Sequence, residues 1–124
     1  MERVLVLDVE KGEIREVEIS ENIETIYREL GCDTFDIANR KIGDRRFDIF
    51  CDDNGLFRDK PIVSAINADH FSPMLVGNLL FANHDSEGRT VGLSDEDVAV
   101  IRSNMAMVVS SERENPWMVV CCGW

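Results

Sequence analysis

The sequence predicts an α+β domain, a mainly antiparallel sheet of about five to six strands with two helices packed on it. Two kinds of periodicity and the turns between them carry that prediction. Apolar residues tend to a period of two in EIREVEI (13–19), TFDIANR (34–40) and RRFDIFC (45–51), as strands with one wet face do. Two other segments place apolar residues at helical spacing behind an acidic first turn. Between them lie polar, glycine-bearing connections such as EKGE, KIGD and HDSEGRTVG.

The chain has 124 residues, 44% of them hydrophobic and 30% charged. This suits a single domain over 1–124, which at this length buries roughly two-thirds of the unfolded chain's surface. VLVL at 4–7 is apolar without interruption and reads as a central strand covered on both faces. Gly12 turns the chain, and 13–19 returns as a half-solvated hairpin partner. Ser20 is the expected N-cap of the first helix, with Glu21 and Glu24 in its first turn. Ile23, Ile26, Tyr27 and Leu30 form its apolar stripe and Gly31 its stop.

The strands at 34–40 and 45–51 are expected to pair and to face water on one side. Beyond them, PIVSAI is a short apolar segment, NADHFSP a loop, and MLVGNLLFAN (74–83) a single core strand with Gly77 at a bulge or close approach. Ser94 opens the second helix with Asp95, Glu96 and Asp97 in its first turn, and Val98, Ile101, Met105 and Val108 are its expected buried stripe. Asn115-Pro116 breaks that helix, after which WMVVCC reads as a late strand or a docked tail over 110–124. Its apolar character calls for a cover, for which a second copy of the protein is one candidate, giving a homodimer.

Composition excludes several function classes. With a net charge of −11, the chain repels phosphate, so direct nucleic-acid binding through the overall field is disfavoured and charged partners should be cationic. The acidity is concentrated in residues 1–30, with nine acids against four bases. The beginning MERVLVLDVE lacks the basic and long apolar regions of a secretory signal, and no apolar run approaches the roughly twenty residues of a membrane span, so the expected location is cytoplasmic. Cys32, Cys51, Cys121 and Cys122 contain no CxxC pair and read as free, buried thiols. A zinc site would need them to converge from far apart or to recruit His70 or His84.

The segment IFCDDNGLF (49–57) raises the question of a cation at Asp52, Asp53 and Asn54. In a helix–loop–helix calcium loop Gly55 would be position six, which puts Phe50 and Pro61 where an aspartate and a bidentate glutamate belong. A turn accounts for the same residues without metal. No metal and no cofactor is implied.

DIFCDDNGLF, PIVSAIN, PMLVGNLLFANHDSEG and VGLSDEDVAVI together resemble a family of small proteins known as the domain of unknown function number 3846. The likeness runs over about 47–102, is most specific in PMLVGNLLF and LSDED, and is weaker in the amino-terminal hairpin and first helix. The resemblance implies an accessory protein of gut-type bacteria, their phages and conjugative elements. It implies no catalytic residues.

Arg40, Lys41, Arg45 and Arg46 are the candidate ligand-binding residues, four cations within RKIGDRR at one end of the predicted hairpin. They could grip a phosphate or carboxylate, making the protein a sequestrant of a small phosphate-bearing ligand. They could equally be a solvated tip neutralised by Asp36, Asp44 and Asp48. A further reading is an acidic DNA mimic that inhibits a host defence protein, with Glu16, Glu18, Glu21 and Glu24 in the decoy surface; ordinary solubility explains the same charge. No catalytic motif is present. His70 and His84 fall in predicted loops, and Cys121-Cys122 has no base nearby in sequence to activate it. The expectation is a non-enzymatic binding or interaction module whose partner is a protein.

Overall fold

The structure, a computed structural model, describes residues 2–20, 23–54, 61–111 and 113–124. The chain opens with β1 (Glu2–Asp8) and β2 (Glu13–Ile19), paired antiparallel in unbroken register from Glu2↔Ile19 to Asp8↔Glu13. Gly12 at the turn has φ 67°. Then comes α1 (Ile23–Leu30), ended by Gly31 in the left-handed region (φ 68°), whose N–H donates to the Tyr27 carbonyl at 2.8 Å. The cap expected at Ser20 rests on Glu21 and its neighbour, which lie outside the described residues.

β3 (Phe35–Ile42) and β4 (Arg45–Asp52) form a hairpin across a two-residue turn, Gly43-Asp44. β5 (Val63–Asn67) and β6 (Pro73–Val76) follow, then β7 (Leu79–His84), the short β8 (Thr90–Val91), α2 (Asp95–Ser103), β9 (Met105–Ser110) and β10 (Arg113–Cys122).

These strands build two sheets. The larger runs β2-β1-β7-β4-β3, with β8 alongside β7, and its named pairings are all antiparallel. The smaller runs β6-β5-β10-β9 and is mixed, because β10 lies parallel to β5 and antiparallel to β9. The α+β expectation therefore holds in outline, with strand far exceeding helix, and the single expected sheet is two.

Alternation along the strands assigns the faces. Leu5, Leu7, Phe47, Ile49, Leu79 and Phe81 point to one side of the large sheet, where the small sheet and α2 contribute Ala65, Val120, Cys122, Val98 and Ile101 to the same core. Val4, Val6, Phe50, Leu80 and Ala82 point to the other side, where Ile26 and Leu30 of α1 cover them. Val4 to Leu7 are fully buried, so β1 is covered on both faces as its composition predicts.

Three expectations are corrected. The apolar run 74–83 is two strands on different sheets. Gly77 (φ 78°) turns the chain between them, its N–H bonded to the Ile62 carbonyl, and the Asn78 side chain accepts from Val9 N–H at the end of β1. The second helix stops at Ser103: the Asn104 amide donates to the Val100 carbonyl and its own carbonyl accepts from Cys121 N–H, which draws Met105–Ser110 into β9. Met105 and Val108 fit a helical stripe, yet pairing with β10 decides their state. β4 does not face water on one side throughout, since Ile49, Phe50 and Cys51 are all buried beneath opposite layers. Of the two readings of WMVVCC, the late strand holds: it belongs to β10, an inner strand of the small sheet with neighbours on both edges.

Candidate functional site

The β3–β4 hairpin carries the four candidate cations, and the pleat deals them onto opposite faces. Register places Arg40 opposite Phe47 and Ile42 opposite Arg45, on the side of the main core. The Arg40 guanidinium lies 4.4 Å from the centre of the Trp124 ring and donates to the Asn39 carbonyl. Arg45 is held by α2, with Nη2 at 2.8 Å from Glu96 and Nη1 at 3.0 Å from Asp97. The hydrogen bonds it donates to Glu96 and then to Asp97 raise its pKa above the usual arginine value. Arg45 thus anchors the helix to the hairpin.

Its anchor is itself well held. Asp97 closes a capping box with Ser94, accepting from Ser94 N–H while its own N–H donates to the Ser94 hydroxyl, and it accepts from Asn83 Nδ2 at 3.0 Å. Burial pushes the Asp97 carboxyl up, but the Ser94 and Arg45 hydrogen bonds outweigh it and hold the pKa below the usual carboxylate range.

Lys41 and Arg46 are cross-strand partners on the opposite face, the face of α1. Here the structure organises what the sequence leaves scattered. Arg46 Nη1 donates to Asn39 Oδ1 at 3.1 Å, Asn39 Nδ2 donates to Asp48 Oδ1 at 3.0 Å, and Asp48 Oδ2 lies 2.7 Å from His84 Nδ1. The row crosses three strands. Asp48 is nearly covered, with 13% of its side chain exposed, whereas 53% of the His84 side chain is exposed. His84 stands at the end of β7 and not in the loop the sequence suggests. His70 is exposed in the β5–β6 turn, away from this row in the sheet order.

Beside the row lies a half-open apolar groove of about 380 Å³. Ile19, Ile26, Phe35, Ile37 and Phe50 line it, with Glu2, Ser20 and Thr90 as its polar lining. It exists because α1, only eight residues long, is too short to cover the whole width of the sheet. Phe35 is braced between Tyr27 and Phe50, with ring centres at 5.1 and 5.2 Å. Ile37 is 49% exposed at the β3 end. Asn39 and Asp48 are one rung along from Ile37 and Phe50 on the same face, about 7 Å away along the strands. Polar row and groove are adjoining parts of one surface.

The other candidates lie elsewhere. Asp52 Oδ1 accepts from Asn54 N–H at 2.9 Å, Asn54 Nδ2 donates to the Thr34 hydroxyl, and Thr34 donates to Asp53, so these side chains close a turn; Gly55 lies outside the described residues. Among the described residues no group of three or more histidines, cysteines, aspartates or glutamates is placed to hold a metal ion. None of the four cysteines is in a disulfide, and burial pushes the thiols of Cys51 and Cys122 up to about 11. The acids of the decoy reading divide too: Glu16 and Glu18 alternate with Val17 and Ile19 and so face away from α1, which carries Glu24.

Fold and site together define a two-sheet α+β protein with an open groove on its helix-covered face, edged by a hydrogen-bonded polar row. The chain belongs to the family described as domain of unknown function DUF3846, whose model matches residues 1–106. That match covers all of the large sheet, both helices and the groove, and stops within β9. No curated protein and no solved structure matches the chain. Among the described residues no helix is long and apolar enough to cross a membrane.

Proposed function

We propose that this protein is a non-enzymatic binding module that takes a small, largely apolar ligand in the α1 groove. The observation that carries this reading is the groove itself. Its volume lies within the roughly 300–1,000 Å³ of small-molecule sites, and like them it pairs an apolar lining with a few convergent polar groups. Ile37 is a large hydrophobic side chain left half exposed at its mouth, as a ligand contact would be. A binding role fits the side-chain chemistry better than catalysis does. The Cys51 and Cys122 thiols are raised away from the thiolate form. Among the described residues His84 is hydrogen-bonded to Asp48 and to no hydroxyl or thiol.

The setting of the proposal is an accessory protein of a mobile element, acting in the cytoplasm, as the family resemblance read from the sequence implies. Membership of the family brings no activity with it.

The test is fluorescence titration with N-phenylnaphthylamine, an uncharged apolar probe. Saturable binding to the folded protein is expected, weakened at least about tenfold by Ile37→Glu, which sets a charge in the apolar mouth. Binding that is absent, or unchanged by Ile37→Glu, would refute the groove as the binding site.

A further inference from the structure

We infer that the ligand of the groove is an anionic amphiphile, its apolar body lying against Ile37 and Phe50 and its anionic head, a carboxylate or phosphate, against Arg46 at the β3–β4 corner. The inference rests on the groove reading above and names the class of ligand. It starts from how charge is distributed along this surface in a chain of net charge −11. Glu2 lies at the β1 end, and its Oε2 is taken up by Gly92 N–H at 2.6 Å. Arg46 and Lys41 lie at the opposite corner, on β4 and β3. Asp48, on the same face and one rung from Arg46, is the carboxylate beside that corner, and its two oxygens are held by Asn39 and His84. That corner of the groove therefore sets two cations, Arg46 and Lys41, beside Asp48.

Arg46 differs from the other cations of the hairpin in what holds it. Carboxylates hold Arg45. Arg40 lies over an indole on the opposite face. Arg46 is instead held by a neutral amide, Asn39 Oδ1. That contact leaves the guanidinium with donors to spare and draws it back from the hairpin tip over the Asn39–Asp48 rung, toward Ile37 and Phe50. The distance from that rung to the groove floor is about 7 Å, which a compact amphiphile spans. A guanidinium with spare donors matches a planar carboxylate or a phosphate in two-pronged geometry, and Lys41 across the strand pair adds a second, adaptable cation. The Asp48–Asn39 hydrogen bond sets the direction of the Asn39 amide, presenting its oxygen and not its nitrogen to Arg46. Asn39 and Asp48 are thus positioning residues for the anion site.

Anilinonaphthalene sulfonate and N-phenylnaphthylamine share one aromatic body and differ in the anionic group, so their affinity ratio isolates the head. The expected result on the folded protein is a preference for the sulfonate of about tenfold, the size of one charge-assisted hydrogen bond. Arg46→Ala should abolish that preference while leaving the neutral probe's affinity within about twofold, and added salt should erode it. Arg102→Ala, on the exposed side of α2, should leave the ratio unchanged. Displacement of the bound sulfonate by dodecanoate but not by adenosine monophosphate would assign an aliphatic carboxylate, and the reverse a nucleoside phosphate. Equal binding of the two probes, or a preference that survives Arg46→Ala, would overturn the anion site and leave the groove standing. Binding of neither probe would overturn both.

Discussion

The two faces of the large sheet bury similar side chains to different ends. One is sealed by the small sheet and α2 and locked by polar contacts: Arg45 to Glu96 and Asp97, Arg3 to the Leu93 carbonyl and Asp95, and Gly123 to Lys41 in both directions through the backbone. Among the described residues the other is covered by one eight-residue helix over a five-strand span, and an aromatic-floored groove stays open. The contrast is sharpest within one hairpin. Arg45 and Arg46 are adjacent in sequence, yet the pleat sends the first into a structural ion-pair network and the second to the groove edge. One face holds the fold together and the other is free to bind.

That division can be broken or sharpened by mutation. Phe81→Ala, at a fully buried position on the sealed face, should cost about 4 kcal/mol in chemical denaturation, since no neighbour can fill the void. A loss well under half of that would show that the sealed face is loosely packed. Asp97→Ala removes the capping box, the Arg45 partner and the Asn83 partner together, and should cost about 2 kcal/mol.

Asp97 also predicts an acid limb. Its folded pKa is depressed, so its contribution is fully present above the unfolded value of about 3.9 and is lost as pH falls below that value through the folded pKa. Denaturation midpoints measured from pH 6 down to pH 2 should therefore fall less steeply in Asp97→Asn than in the native sequence. The smallest effect on stability belongs to the open face. Ile37→Glu, half exposed at the groove mouth, should shift the unfolding free energy by only about 0.5 kcal/mol while weakening probe binding at least about tenfold. A large loss of stability there would mean that Ile37 serves the core and not a ligand.

How much of this was readable in advance follows the range of the interactions involved. The first hairpin, the stripe and glycine stop of α1, and the Ser94 cap rest on contacts a few residues apart, and the sequence shows them plainly. The division of 74–83 by Gly77 was not readable, because whether a strand glycine bulges or sends the chain to another sheet depends on distant partners, here the Ile62 carbonyl that accepts from Gly77 N–H and the Val9 N–H that donates to Asn78. The end of α2 was hidden for a related reason: Met105 and Val108 satisfy helical spacing, and only β10 waiting alongside makes them a strand. The basic cluster was visible as composition, but its division between faces needed the register of the hairpin. The groove had one faint signal, an isoleucine among polar residues on β3.

By itself the sequence determined the α+β class, the acidity, the paired strands of the two hairpins, the stop of the first helix and the start of the second, because turn, cap and periodicity are set by neighbours in the chain. Tertiary structure alone decided that there are two sheets, that the last strand lies within the smaller one, and that His84, Asp48, Asn39 and Arg46 form one row beside an open groove. Those outcomes depend on which strands lie side by side and how far a short helix reaches across them, and contacts between residues distant in sequence settle both.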